Sequence, residues 1–131
     1  MARTVLVVDD EPDLVANCER LLRRLGHTCL WAHTGPDAVA LIDRERPDLV
    51  VTDLRLPGTD GLAVTRHARQ HVPPIAVILI TAYDSPQARS AALTSGASTY
   101  LPKPFSNSAF VDAVQRALPG SPARADDGLP P

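Results

Sequence analysis

Three aspartates follow apolar segments of this chain, and their positions suggest metal chemistry. Asp9 and Asp10 come directly after residues 5–8, and Asp53 closes the apolar run 49–52 before a loop rich in proline and glycine. If the two runs form neighbouring parallel strands, the three carboxylates converge at one edge of a sheet. Carboxylates that repel one another need a compensating charge, and a divalent cation with oxygen ligands is the commonest solution.

The elements that must position these acids follow from the hydrophobic pattern. Apolar runs alternate five times with segments of helical periodicity, which predicts an α/β fold with a parallel sheet and helices on both faces. The predicted strands cover residues 5–9, 27–33, 49–53, 75–81 and 98–103. The predicted helices cover about 12–25, 36–46, 60–71 and 87–95, and a last helix follows a Ser106 cap and ends near residue 118.

Two further polar residues fall at carboxyl ends of predicted strands. Thr81 ends the fourth strand and Lys103 ends the fifth, as Asp9, Asp10 and Asp53 end the first and third. Ligands of open parallel sheets bind beyond the carboxyl ends of the strands. The pattern therefore predicts one site that combines acids, a hydroxyl and an amine.

Length, charge and composition exclude several classes of protein. The net charge of −2 and the pI near 6.0 argue against direct nucleic-acid binding. We find no apolar run of membrane-spanning length and no signal segment, and we interpret Cys18 and Cys29 as buried thiols of a reducing compartment, so a cytoplasmic protein is expected. Residues 1–118 are expected to form one domain, and 119–131 a disordered tail or a truncated linker.

Five motifs, in order, resemble those of the receiver domain of two-component response regulators, including the chemotaxis-regulator type. The resemblance covers about residues 4–118. It rests on Val7-Val8-Asp9-Asp10-Glu11-Pro12, on Thr52-Asp53-Leu54-Arg55-Leu56-Pro57-Gly58-Thr59-Asp60-Gly61, on Thr81-Ala82, on Tyr100, and on Lys103-Pro104-Phe105, whose lysine–proline bond is typically cis in the family. The resemblance implies a flavodoxin-like, doubly wound sheet of five strands in the order 2-1-3-4-5. The fifth strand then lies at the sheet edge, which tolerates Pro102.

The resemblance also implies a phosphoacceptor function. Asp53 would accept a phosphoryl group from the phosphohistidine of a sensor histidine kinase or a phosphotransfer protein. Mg²⁺ would bind Asp10, Asp53 and the backbone carbonyl of Arg55 directly, and Asp9 through water. Such a domain catalyses only its own phosphorylation and slow autodephosphorylation, so we expect a switch and not a turnover enzyme.

The remaining motif residues would transmit and time the signal. Lys103 would pair with a phosphoryl oxygen and Thr81 would donate its hydroxyl to another. As Thr81 moves, Tyr100 would turn inward and alter the surface of helix 4, strand 5 and helix 5, which could also form a homodimer. Arg55 and Tyr83, each two residues after a site residue, are expected to shield the phosphoryl group from water.

Alternatives remain at several of these positions. A degenerate receiver that binds partners without phosphorylation is the main alternative function, whereas a phosphohydrolase would need an aspartate where Arg55 stands. His67 and His71 are four residues apart on a predicted helix and could share a metal, but a solvated face is the prediction. Trp31 is expected to pack against a helix, with no function assigned.

Overall fold

The computed structural model describes residues 2–118, and the predicted tail 119–131 lies outside them. Helices and strands alternate along the chain as the hydrophobic pattern predicts. In chain order they are β1 (Thr4–Val8), α1 (Pro12–Arg24), β2 (Thr28–Ala32), α2 (Gly35–Glu45), β3 (Leu49–Asp53), β4 (Arg55–Leu56), β5 (Thr59–Asp60), α3 (Gly61–Arg69), β6 (Ala76–Thr81), α4 (Pro86–Thr94), β7 (Thr99–Pro102) and α5 (Asn107–Ala117).

The main sheet contains five parallel strands in the order β2-β1-β3-β6-β7. This confirms the predicted order, because the fourth and fifth predicted strands are β6 and β7. The two short strands β4 and β5 form a separate antiparallel hairpin where the sequence predicted only a loop. Gly58 turns the chain between them with a φ of +86°, a conformation that favours glycine.

Alternate residues of the central strands serve two cores on opposite faces of the sheet. Val5 and Val7 pack with α1 and α5 around Phe110, whereas Leu6 and Val8 pack with α2 and α3. This alternation follows from the two-residue period of a strand. Both faces are therefore covered, as the prediction of helices on both faces requires.

Side-chain caps define where four helices begin. Each cap oxygen accepts a hydrogen bond from the backbone N–H three residues later, which satisfies one of the otherwise unpaired donors of the first turn. The caps are Thr34 for α2, Asp60 for α3, Ser85 for α4 and Ser106 for α5. The cap predicted at Ser106 is confirmed, with a distance of 3.0 Å from Ala109 N to Ser106 Oγ.

Three sequence-based expectations need correction. Helix α3 ends at Arg69, so His71 lies just beyond it. Cys29 is only half-buried, whereas Cys18 is buried as predicted, and burial raises the pKa of the Cys18 thiol to about 12. Trp31 is 52% exposed, because β2 is an edge strand and its side chains have neighbours on fewer sides.

None of the helices within residues 2–118 combines the length and apolarity that crossing a bilayer requires.

Candidate functional site

Asp53 lies at the buried end of β3, the central strand of the sheet. Its Oδ1 accepts a hydrogen bond of 3.1 Å from the backbone N–H of Arg55. The next residue is held by the neighbouring strand, since Leu54 N donates to Ile80 O at 2.8 Å. The carboxylate is thus fixed by its own loop and by β6, at the carboxyl end of the strands.

The acids that follow β1 lie next to Asp53, as predicted. Strands β1 and β3 are neighbours, and one carboxylate oxygen from each of Asp9, Asp10 and Asp53 lies within 4.8 Å of the others. Asp9 is fully buried, and its Oδ1 accepts from the backbone N–H of Glu11 at 2.9 Å. Asp10 is exposed, so the cluster has a buried interior and an open rim.

Lys103 reaches this cluster from the end of β7. Its Nζ lies 2.9 Å from Asp53 Oδ2, 2.9 Å from Asp9 Oδ2 and 2.8 Å from Glu11 Oε1. Burial acts to lower the pKa of Lys103, but the hydrogen bonds to the carboxylates outweigh it and raise that pKa. The ammonium group therefore stays charged. The Lys103–Pro104 peptide bond is cis, as the motif predicts.

Glu11 is a contact of Lys103 that the sequence analysis did not assign. Glu11 is part of the acidic motif, and its position as the third consecutive acid after Asp9 and Asp10 could have marked it as a site residue. Its position just before α1 places the carboxylate over the rim of the site, where it meets the lysine from a strand more than ninety residues away in sequence. Only the fold brings the two together.

The donor set fits a small divalent cation. In this cluster the carboxylates of Asp9, Glu11 and Asp53 contact the Lys103 amine, and that of Asp10 lies beside those of Asp9 and Asp53. Asp9 Oδ2 is buried and receives no well-directed hydrogen bond, although Lys103 Nζ is at ion-pair distance. Burial raises the pKa of Asp9, against the opposing effect of Lys103. Excess negative charge with oxygen donors is the environment that Mg²⁺ prefers.

Thr81 and its neighbours form the wall opposite the acids. Thr81 is fully buried at the end of β6, and its Oγ1 accepts from the backbone N–H of Tyr83 at 3.0 Å. Its carbonyl accepts from Lys103 N at 2.7 Å, which ties the ends of β6 and β7 together. The hydroxyl proton of Thr81 therefore remains available to a group bound above Asp53.

Arg55 and Tyr83 meet across the mouth of the site. The guanidinium carbon of Arg55 lies 4.2 Å from the centroid of the Tyr83 ring, a cation–π contact. Both residues border a depression of about 360 Å³ that also contains Asp53, Ala82 and Lys103. The two side chains thus cover one approach to Asp53.

Tyr100 lies on β7, the strand next to β6, and is covered by α4. Its ring packs against the small cluster of Leu79, Ala92 and Ala97. Its hydroxyl is shielded from solvent and has no hydrogen bond of good geometry among residues 2–118; burial and nearby Asp84 raise its pKa. The Tyr100 hydroxyl is therefore enclosed beside the start of α4 while Thr81 Oγ1 is held by Tyr83 N–H.

His67 and His71 lie away from these residues, and their side chains are intermediate in exposure where a solvated face was predicted. Their side chains are 31% and 15% exposed, and both contact the carboxylate of Asp43 from α2. The sequence did not indicate that Asp43 contacts these histidines, because it lies 24 and 28 positions before them and no local pattern connects such distant residues.

Comparison with known proteins agrees with this geometry. The family model described as the response regulator receiver domain matches residues 5–115. The DNA-binding transcriptional regulator NtrC of Salmonella typhimurium is 38% identical over 114 residues, which are 87% of this chain and 24% of that protein. This chain spans less than half the length of curated relatives that it matches, NtrC among them.

Solved structures show the same architecture. The BeF3-activated N-terminal receiver domain of Klebsiella pneumoniae RstA is 28% identical with a TM-score of 0.81, covering 88% of this chain and 98% of its own. A CheY-like receiver domain protein from Methanospirillum hungatei is 23% identical with a TM-score of 0.84, over 98% and 100% of the two chains, and supports the fold alone. Because the family match extends over nearly all the described residues, this chain belongs to the response regulator receiver domain family, the phosphoacceptor domains of two-component systems.

Proposed function

We propose that Asp53 accepts a phosphoryl group from the phosphohistidine of a sensor histidine kinase or a phosphotransfer protein. The observation that carries the proposal is the convergence of Asp53, Asp9 and Asp10 within 4.8 Å, with Lys103 Nζ 2.9 Å from Asp53 Oδ2. The P–N bond of the donor breaks as a P–O bond to Asp53 forms, and the imidazole leaves. A buried carboxylate at a strand end is a suitable nucleophile because its position is fixed.

Receiver domains use Mg²⁺, and the finer assignment of its ligands here is also a proposal. Asp10, Asp53 and the carbonyl of Arg55 would hold the ion, and Asp9 would contribute through water. Two contacts support this division: Asp9 Oδ1 is engaged by Glu11 N–H, whereas Asp10 lies at the exposed rim. Bound Mg²⁺ neutralises charge and orients the phosphoryl group.

Lys103 and Thr81 are proposed to stabilise the phosphoryl group once it is attached. Lys103 already lies against Asp53, so a short movement of its flexible side chain brings the ammonium to a phosphoryl oxygen. Thr81 would exchange its contact with Tyr83 N–H for a hydrogen bond to another oxygen. Through these movements, phosphorylation of Asp53 would change the conformation at the ends of β6 and β7.

The surface of α4, β7 and α5 is the proposed output. Helix α4 is loosely packed. Ala92 is the single buried residue of α4, whereas α1 buries four residues. A helix with so little buried area shifts at low cost in free energy. Tyr100 lies directly beneath it, so this surface is suited to bind a partner or a second copy of the chain after phosphorylation.

In this role the chain is a switch whose only chemistry is its own phosphorylation and slow dephosphorylation. Beryllofluoride or acetyl phosphate is added with Mg²⁺, and amide NMR shifts and light scattering are recorded. Shift changes at Asp53, Thr81 and Tyr100 are expected, and Asp53→Asn should abolish them. No response in the wild type would favour the alternative, a receiver that binds partners without phosphorylation.

A further inference from the structure

A second cluster of potential metal ligands lies between α2 and α3. His67 Nε2 is 2.7 Å and His71 Nε2 is 2.9 Å from the same oxygen of Asp43, Oδ1. The two imidazole rings are 5.7 Å apart between centroids and inclined by 67°. Both rings therefore point one nitrogen at a common position instead of stacking on each other.

This cluster is separate from the phosphoacceptor site. Helix α3 begins beside Asp53, where Gly61 N donates to Leu54 O at 2.7 Å. From Gly61 to Arg69 the helix rises about 12 Å along its axis, at about 1.5 Å per residue, and His71 lies just beyond that far end. Asp43 occupies the last turn of α2, at the same end of the molecule.

The spacing of the three ligand atoms suits a transition-metal ion. With metal–ligand bonds of about 2.0–2.1 Å, ligand atoms are separated by about 3.3 Å in a tetrahedral site and about 2.9 Å in an octahedral one. The observed separations from Asp43 Oδ1 are 2.7 and 2.9 Å. One ligand atom from each of the three residues lies within 4.8 Å of the others, so side-chain rotations can bring all three around one ion.

Burial of the ligands makes the site partly preorganised and partly open. The histidine side chains are 31% and 15% exposed, so packing restricts their rings, whereas Asp43 is 55% exposed. Three protein ligands leave at least one coordination position for water. Two imidazole nitrogens with one carboxylate select Zn²⁺ and related ions over Mg²⁺, which prefers oxygen ligands throughout.

We infer that Asp43, His67 and His71 form a binding site for Zn²⁺ or a related divalent transition metal, which links α2 to α3. In the metal-free protein, each Nε2 carries a hydrogen toward the carboxylate, because an ionised carboxylate only accepts. The same contacts, first with His67 and then with His71, lower the pKa of Asp43. When the metal binds, the hydrogen on each Nε2 moves to Nδ1 of the same ring by exchange with water, the freed Nε2 lone pair coordinates the ion, and one ion joins the two helices.

Zinc titration of the full 131-residue chain tests this inference. The protein is stripped with a chelator, excess Mg²⁺ is added to occupy the acidic cluster, and Zn²⁺ binding is followed by calorimetry. One equivalent should bind and raise the melting temperature, because a ligand specific for the folded state stabilises it. Co²⁺ should give a visible absorption band, and NMR signals of both histidine rings should shift.

Single substitutions distinguish the cluster from adventitious binding. His67→Gln, His71→Gln and Asp43→Asn should each weaken Zn²⁺ binding by about 10-fold or more, since even outer contacts of a metal site carry that much. His27→Gln is the matched control, because His27 lies outside the cluster and contacts Arg3 N. The Zn²⁺ affinity of this variant should equal that of the wild type. Absence of Zn²⁺ binding by the wild type, or equal affinity in all four variants, would overturn the inference. Phosphorylation of Asp53 is not involved in either result.

Discussion

At the scale of single residues, charge is distributed so that the site is incomplete without a cation. Lys103 contacts Asp9, Glu11 and Asp53, yet one positive charge cannot balance them together with Asp10. Buried charges of one sign cost free energy unless they are paired. The geometry therefore favours metal binding at the expense of stability in the metal-free protein.

Asp9→Asn should separate these two effects. Because burial raises the pKa of Asp9, the folded state holds the proton more tightly than the unfolded state, and ionised Asp9 destabilises the fold as pH rises from its ordinary 3.8 through the raised value. At neutral pH without metal, Asp9→Asn should gain about 1 kcal/mol in free energy of unfolding and bind Mg²⁺ more weakly. Urea unfolding with and without Mg²⁺ measures both.

The control for this variant has the opposite expected sign. Asp112→Asn removes an exposed carboxylate that pairs with Arg116 at 3.1 Å, so it should lower stability by a few tenths of a kcal/mol at most. The advantage of Asp9→Asn should vanish below the ordinary pKa of aspartate. A loss of stability in metal-free Asp9→Asn at neutral pH would contradict the account of a strained acidic cluster.

The stacked pair of Arg55 and Tyr83 should prolong the phosphorylated state. Replacing both with alanine removes the cover over Asp53, so hydrolysis of the acyl phosphate should accelerate roughly tenfold, equivalent to about 1.4 kcal/mol in activation free energy. Decay of phosphoryl-Asp53 after removal of the phosphodonor is the measurement. Arg89→Ala is the control, because Arg89 forms a similar contact with Tyr100, 5.1 Å from its centroid and away from the site. Equal decay in the wild type and the double variant would sink the hypothesis.

At the scale of elements, the loop after β3 is shaped by the start of α3. Gly61 is the first residue of α3 and lies directly against the end of the strand. A Cβ atom at Gly61 would collide with the backbone carbonyl oxygen of Asp53 and lie 2.9 Å from Leu54 Cα. Glycine is therefore required here by close backbone approach.

Gly61→Ala should consequently displace the phosphoacceptor. Because the clashing atoms belong to backbone, the strand end must move, which should cost about 1–3 kcal/mol and reduce phosphorylation of Asp53 by acetyl phosphate. Gly26→Ala is the matched control: φ at Gly26 is +85°, and nothing lies within 4 Å of its added Cβ. That variant should lose about 1 kcal/mol of stability but retain full phosphorylation. Normal phosphorylation of Gly61→Ala would refute the positional role of Gly61.

At the scale of the whole molecule, the hydrophobic cores on the two faces of the sheet support the site at the carboxyl ends of the strands. Phe110 of α5 is fully buried with β1, β3 and β6 residues, and its ring is 5.8 Å from that of Phe105 between centroids. Phe105 is the last residue of the lysine motif Lys103-Pro104-Phe105. The core on this face therefore supports the loop that presents Lys103.

Phe110→Ala should destabilise the protein globally. Loss of a buried aromatic side chain leaves a cavity, with an expected cost of about 3–5 kcal/mol in free energy of unfolding. Val72→Ala is the control, since Val72 is exposed and should change stability by less than about 0.5 kcal/mol. Denaturant unfolding compares the two variants. A similar, small effect of both would show that Phe110 is not central to the core.

Sequence alone determined much of this architecture. Strand and helix periodicity predicted the alternation of elements, and terminal polar residues at Asp9, Asp53, Thr81 and Lys103 predicted a common site. These succeed because side-chain period and strand polarity are local properties of a chain in a parallel sheet. Element ends shifted by one or two residues, and the β4–β5 hairpin was missed, because short strands depend on a turn more than on hydrophobicity.

The tertiary structure decided what depends on distance between remote residues. It placed Glu11 on Lys103, stacked Arg55 on Tyr83, and brought Asp43 of α2 to the two histidines near the end of α3. It also left Trp31 half exposed at an edge strand where sequence predicted packing. Such contacts arise from how helices lie across the sheet, and no local pattern records them. Local periodicity thus specifies the elements, whereas packing specifies which charged side chains meet.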